Sequence, residues 1–130
     1  MNEETIIPGT LLCIDKEIEG NLIPSDKSYD KNIAGVVSGA GGINTGMVMG
    51  QEGTLASGDT QVAISGRVYV YADATKQEIK PGDLLTSSDT PGHAMKATKR
   101  KKSFGAIVGK ALTSLPKGEI GLVLVLINLQ

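Results

Sequence analysis

Short apolar runs alternate with turns rich in glycine and proline along the whole chain, a pattern typical of many short β-strands. The alternation is clearest from Gln61 to Tyr71, where the apolar residues favour even-numbered positions, so we predict a strand with one face in a core. Further short strands are predicted at Thr10–Ile14, Asn21–Pro24, Ile33–Ser38, Met47–Met49, Leu84–Thr86, Ala94–Ala97, Phe104–Leu112 and Glu119–Leu129. No stretch of a dozen residues combines helical spacing with capping residues, and we therefore expect little helix.

The chain also contains an internal repeat. The copies are Ile7–Leu12 with Lys80–Leu85, Ala34–Gly39 with Phe104–Gly109, and Gly66–Tyr71 with Gly121–Ile127. A repeat of this kind predicts two similar β units, about 8–71 and 81–129, in which Pro8-Gly9 matches Pro81-Gly82 and Gly35 matches Gly105. The expected fold is all-β: one compact domain over residues 1–130, barrel-like or β-clip-like, built from these two units.

Composition agrees with this fold and limits the core. The 130 residues suit one domain, and the 17 glycines and 5 prolines supply frequent turns. Aromatic residues make up 3% of the chain and tryptophan is absent, so the core must be built from valine, isoleucine, leucine, alanine and methionine. Small branched side chains of this kind suit tightly packed strands.

A glycine-rich insertion distinguishes the first unit from the second. In the first unit, the connection between the strand flanked by glycines and the last strand is Ala40–Gln61. The corresponding connection in the second unit is shorter, Lys110–Glu119. The shared scaffold does not require the extra residues, so the insertion is a functional loop, a contact with another subunit, or a tolerated surface excursion. We predict a subunit contact, because the second unit has no matching insertion that could cover the apolar residues of this one. These residues are Ile43, Met47, Val48, Met49 and Leu55.

Charge argues against nucleic acid and anionic membranes as partners, because the formal net charge is −1. Positive charge is concentrated at Lys96 and Lys99–Lys102, which lack interleaved aromatic residues, so a solvated turn is favoured over a nucleic-acid site. Gly41–Gly46 lacks the lysine and the following helix of a phosphate-binding loop. We therefore predict no nucleotide and no cofactor.

No constellation of catalytic residues emerges from the sequence. His93 is the only histidine and stands beside Pro91-Gly92, which favours a loop residue over a catalytic or metal-binding one. Cys13 is the only cysteine, so an internal disulfide and a cysteine-built zinc site are excluded, and a small apolar packing role is predicted. We predict no catalytic, metal or cofactor residues.

The carboxylates of Asp15, Glu17 and Glu19 favour a solvated edge. The longest apolar run, Gly121–Ile127, is far shorter than the roughly 20 residues that cross a bilayer. The acidic N-terminus does not resemble a secretory signal, and the compartment stays open.

Several of these motifs together resemble a known family. They are Gly66–Val70, Lys80–Ser88, Thr90–Lys96, Gly105–Ala111 and Val123–Val125. The chain resembles a β-rich domain found near the C-termini of bacterial and phage-related proteins. It is distantly similar to the peptidase G2 type of intramolecular chaperone domain that ends phage tail appendage proteins.

The resemblance implies a domain on an elongated, usually trimeric, tail-like fibre, where it nucleates or caps assembly. The leading hypothesis is therefore a non-enzymatic assembly domain that forms a homotrimer. The alternatives are a self-cleaving chaperone domain and a carbohydrate- or surface-binding module, the latter disfavoured by the scarcity of aromatic side chains.

Overall fold

Strands make up most of the regular structure in the computed structural model, which describes residues 6–42, 47–48 and 61–130. The strands are β1 (Leu11–Ile14), β2 (Leu22–Pro24), β3 (Ile33–Val37), β4 (Met47–Val48), β5 (Val62–Asp73), β6 (Leu84–Ser87), β7 (Ala94–Lys96), β8 (Gly109–Ala111) and β9 (Ile120–Ile127). The helical residues are one 3-10 turn at Ala40–Gly42 and the four-residue helix α1 (Arg100–Ser103). Strand accounts for 42% of the structure and helix for 6%, which confirms the all-β prediction.

Five strands close into a barrel. The second half of β5 pairs antiparallel with β9, from Gly66 opposite Ile127 to Asp73 opposite Ile120. The ladder continues antiparallel from β9 through β8 and β6 to β7. Strand β7 then pairs in parallel with β5, with Ala72 opposite Ala94, and this pairing completes the barrel.

The barrel interior is filled by branched aliphatic side chains. Val68 faces Val125 and Val70 faces Val123 across the β5–β9 ladder, and all four are fully buried. Leu85 contributes another fully buried side chain from β6. The predicted core of small apolar residues is therefore confirmed. Each such burial stabilises the fold by about 1.5–3 kcal/mol.

The first unit extends from the other half of β5. Val62 and Ala63 pair with β3, which pairs with β1, which pairs in turn with β2. A second buried cluster, centred on Leu12, Val37 and Val62, lies under this sheet.

The two units share one strand order, β2-β1-β3-β5 in the first and β7-β6-β8-β9 in the second. Their entry turns also make matching hydrogen bonds. The Gly9 amide donates to the Val37 carbonyl over 2.8 Å, and the Gly82 amide donates to the Ala111 carbonyl over the same distance. Both glycines have positive φ, 97° and 93°, a region open to glycine because it has no Cβ. The structure thus places Pro8-Gly9 and Pro81-Gly82 in equivalent positions, as predicted.

The predicted match between Gly35 and Gly105 is wrong. Gly35 lies opposite Leu12, and its counterpart opposite Leu85 is Gly109. A Cβ on Gly35 would stand 2.5 Å from the Ala63 carbonyl oxygen, and one on Gly109 would overlap the Leu126 carbonyl oxygen. Both positions therefore require glycine for the same reason, a close backbone approach to the next strand.

Two further predictions about the second unit are corrected. The segment predicted as a strand over Phe104–Leu112 forms strand only at Gly109–Ala111, and the preceding basic residues form α1 rather than a loop. Lysine and arginine are good helix formers, and Ser103 donates its hydroxyl to the Lys99 carbonyl over 2.9 Å.

The predicted match between Gly66–Tyr71 and Gly121–Ile127 is also wrong, because these segments pair with each other as adjacent antiparallel strands of the barrel wall. Comparison of the β3–β5 pairing with the β8–β9 pairing shows that the residues of the first unit equivalent to Val125–Leu126 are Val62–Ala63.

Candidate functional site

The predicted subunit contact falls mainly on residues that the structure does not describe. Ile43, Met49 and Leu55 lie outside the described residues. Met47 and Val48 form β4, whose backbone pairs with β5 opposite Ser65 and Ala63. The prediction that these five residues meet another subunit stays a prediction.

His93 lies in the turn before β7, where its ring contacts a backbone carbonyl and an aromatic side chain. Its Nδ1 donates to the Pro91 carbonyl over 2.7 Å, since a carbonyl oxygen can only accept. Its ring also packs against Tyr71, with centroids 5.3 Å apart and an angle of 43°. Both rings line a shallow apolar groove of about 430 Å³ with Pro24 and Pro91. Among the described residues, no group of three or more histidine, cysteine, aspartate or glutamate side chains could hold a metal ion.

Cys13 is 2% exposed and packs in β1, as predicted. Burial, together with the nearby charge of Asp30, raises its pKa to about 12. The nucleophilic form of cysteine is the thiolate. The Cys13 thiol is therefore protonated and inert at neutral pH.

A polar cleft of about 560 Å³ opens beside the end of β5. The β2–β3 loop supplies Ser28 and Tyr29 on one side, and residues just after β5, including Lys76, form another. The Tyr29 hydroxyl accepts the backbone amides of Thr98 and Lys99, each over 2.9 Å, and so joins the first unit to the segment before α1. Partial burial of Tyr29 raises its pKa, but these hydrogen bonds outweigh burial and the net pKa is lowered.

Asp73, the last residue of β5, organises the floor of this cleft. One of its carboxylate oxygens accepts the amide and hydroxyl of Thr75, over 2.9 and 2.6 Å, and the other accepts the Thr90 hydroxyl over 2.5 Å. Burial opposes ionisation here, yet the hydrogen bonds from Thr75 and Thr90 hold the pKa of Asp73 below its usual range. Asp73 is thus an ionised, hydrogen-bonded carboxylate at neutral pH.

The outer face of β9 is apolar and exposed. Its side chains form what we call the β9 stripe: Ile120, Leu122, Leu124 and Leu126. Ile120, Leu122 and Leu126 are 53%, 37% and 44% exposed. Leu112 and Leu84 extend the same surface across β8 and β6.

The turns around Gly9 and Gly41 cover part of this face. A Cβ on Gly9 would contact Tyr71 and Leu122, and one on Gly41 would overlap the Tyr69 ring. Between these turns and β8, no other described segment covers the stripe.

The ends of the β9 stripe differ in charge. Arg67 and Lys110 lie opposite Leu126 on the two neighbouring strands. At the other end Asp73 lies opposite Ile120, and Glu119 precedes it. Lys117, in the turn before β9, offsets one of those carboxylates, so a net negative charge of one remains at that end.

The sequence contained a signal for the β9 stripe that our prediction did not use. Positions Leu122–Ile127 are apolar without interruption, whereas a strand with one solvated face alternates. Such a run predicts cover on both faces. The cleft had no comparable signal, since its residues come from four separate segments.

Comparisons with protein-family models, with curated proteins and with solved structures gave no match. Within the described part of the chain, no helix has the length and apolar character needed to span a membrane.

Proposed function

We propose that this protein is a non-enzymatic assembly domain that associates with further copies of itself through the β9 stripe. The observation that carries the proposal is a strand apolar on both faces, of which the barrel buries one. The resemblance of the sequence to tail-fibre domains agrees with an assembly role in a fibre or tail-like structure. Cys13 is protonated, and Nδ1 of His93 is engaged by the Pro91 carbonyl, so neither of these two residues offers an activated nucleophile.

The expected strength of the contact follows from the exposed fractions. Leu84, Leu112, Ile120, Leu122 and Leu126 are each between 37% and 53% exposed. Covering them would contribute roughly 3–6 kcal/mol per copy, at about 1.5–3 kcal/mol for each fully buried side chain. Two copies thus contribute roughly 6–12 kcal/mol against an association cost of about 4–15 kcal/mol. We expect a contact of micromolar strength or weaker, which attachment to a common fibre would reinforce.

Charge favours an antiparallel arrangement of two stripes. A two-fold axis across the middle of β9 brings the basic end, Arg67 and Lys110, onto the acidic end, Asp73 and Glu119, of the other copy. Such an isologous contact forms a dimer. The trimer implied by the resemblance instead needs the stripe to pack on a different surface of the next copy.

The test is the mass of the protein in solution over a range of concentrations, by sedimentation or light scattering. The double variant Leu122→Thr/Leu126→Thr keeps β-forming residues on the strand and should remain monomeric where the parent chain associates. A matched control is Ile18→Thr, because Ile18 is 61% exposed but lies in the β1–β2 loop.

A mass of two chains supports the two-fold contact, and three chains supports the trimer. A parent chain that stays monomeric at millimolar concentration, or an Ile18→Thr effect as large as that of the double variant, contradicts the proposal.

A further inference from the structure

We propose that the polar cleft beside β5 binds a sugar acid or sugar phosphate, with the oxyanion held by Lys76 and Lys99. This inference does not rest on the assembly function, because Asp73 is the one side chain that the argument for the β9 stripe shares with the cleft. It rests on the balance of hydrogen-bond donors and acceptors that the cleft presents to a ligand.

The acceptors on the cleft floor are occupied by the protein itself. Asp73 receives three hydrogen bonds from Thr75 and Thr90 through its two oxygens. Asp73 keeps its negative charge, but its oxygens have little capacity left to accept a hydrogen bond from a ligand.

Two lysines of the cleft, in contrast, form no ion pair with any other described residue. Among the described residues the ion pairs join Lys80 to Glu78 and Lys96 to Asp83, each over 3.5 Å. Lys76 and Lys99 line the cleft and take part in neither pair. Helix α1, immediately after Lys99, adds three further exposed cations. The cleft and α1 together therefore carry more cations than carboxylates, although the chain as a whole carries a net charge of −1.

A ligand hydroxyl also has a place to bind. Asp89 lines the cleft, and its Oδ1 accepts the Ser28 amide over 3.0 Å. Its Oδ2 has no hydrogen-bond partner among the described residues and can accept from a hydroxyl. Two lysines and a carboxylate oxygen that line the same cleft suit a ligand that carries an oxyanion and hydroxyls together.

The volume fits one such unit. A cavity of about 560 Å³ lies within the 300–1,000 Å³ that is usual for small-molecule sites. Tyr29 fixes the shape of the cleft, because its hydroxyl binds the amides of Thr98 and Lys99.

The test is titration of the isotope-labelled protein, followed by amide chemical shifts at constant ionic strength. The probes are D-glucuronate, glucose 6-phosphate, inorganic phosphate and glucose. We expect saturable shifts near Asp73, Asp89 and Lys99 with the two sugar anions, at dissociation constants of about 1 mM, and weaker binding of inorganic phosphate and glucose. The sugar acid and the sugar phosphate distinguish the two sources of the oxyanion.

Substitutions assign the binding to the cleft. Lys76→Gln and Lys99→Gln should each weaken binding about five-fold, and together about twenty-fold, as expected for exposed charge-assisted contacts. Asp89→Asn should weaken the sugar anions but not inorganic phosphate. Lys16→Gln, an exposed lysine in the β1–β2 loop, is the matched control and should have no effect.

Three outcomes overturn the inference. The first is the absence of saturable shifts for both sugar anions. The second is an equal loss of binding in Lys16→Gln and in the cleft variants. The third is an affinity for inorganic phosphate equal to that for glucose 6-phosphate, which would show that the sugar contributes nothing to binding.

Discussion

Substitution of Gly109 by alanine tests the structural equivalence of the two units. The new Cβ would overlap the Leu126 carbonyl oxygen and stand 3.0 Å from the Ile127 Cα, both backbone atoms of β9. Neither can move without shifting the β8–β9 ladder in the barrel wall. Overpacking of this kind costs up to about 3 kcal/mol, sometimes more, which is a large part of the 5–15 kcal/mol typical of a domain.

The same substitution at Gly35 and Gly105 separates the equivalence seen in the structure from the one predicted from sequence. A Cβ on Gly35 meets the Ala63 carbonyl oxygen at 2.5 Å, so Gly35→Ala should cost about as much as Gly109→Ala. Gly105 has open space around it and a φ of 77°, so alanine there should cost only about 1 kcal/mol of backbone strain.

The assay is urea unfolding of the three variants, followed by far-ultraviolet circular dichroism, with thermal unfolding as a check. At about 3 kcal/mol, Gly109→Ala and Gly35→Ala should lower the melting temperature by roughly 10 °C, and Gly105→Ala by about 3 °C. Equal losses at Gly105 and Gly109, or an unchanged Gly109→Ala variant, would refute the packing argument.

Three further predictions concern single side chains. Cys13 should resist a maleimide reagent in the native protein from pH 7 to 9 and react once urea unfolds it, because its pKa is about 12; native reactivity at pH 8 contradicts this. The lowered pKa of Asp73 means that its ionised form stabilises the fold above the unfolded-state pKa, and that this stability is lost as the pH falls through the folded-state pKa. The parent chain should therefore exceed Asp73→Asn in urea midpoint at pH 7 but much less at pH 3, and an equal gap at both contradicts the reasoning. Tyr29→Phe removes the acceptor for the Thr98 and Lys99 amides, so their hydrogen exchange should accelerate while stability falls by about 1 kcal/mol; unchanged exchange contradicts the hydrogen bonds.

The positions of the strands could be predicted from the sequence far better than which residues of the two units are equivalent. Period-two patterning places β5 within two residues of its observed bounds, and the apolar run bounded by turns does the same for β9. The match of Gly35 to Gly105 failed because two glycines four residues apart, Gly105 and Gly109, satisfy the same local motif. Only the pairing of β8 with β9 shows which one lies under a backbone carbonyl. Long-range register of this kind is not encoded in a local pattern.

The cleft escaped prediction because it depends on the segments in which the two units differ. The β2–β3 connection, residues 25–32, and the β7–β8 connection, residues 97–108, occupy equivalent places in the shared strand order. Their lengths and sequences differ, so alignment of the repeat reveals nothing about them. In the structure they meet, since the Tyr29 hydroxyl from the first accepts two amides from the second.

That meeting relates the proposed binding site to the duplicated architecture. Equivalent connections of two similar units come together where the units join, and this junction is near the parallel pairing of β5 with β7 that closes the barrel. Asp73 ends β5 one residue beyond this pairing, and Lys99 leads from β7 into α1. The barrel thus positions Asp73 and the start of the β7–β8 connection, and the Tyr29 hydroxyl ties the β2–β3 connection to them. The connections that supply the charges of the cleft are free to vary without disturbing the core. Substitutions of Lys76 and Lys99 should then alter ligand binding while leaving the unfolding midpoint unchanged within about 0.5 kcal/mol, whereas a larger loss of stability would mean that these lysines belong to the scaffold.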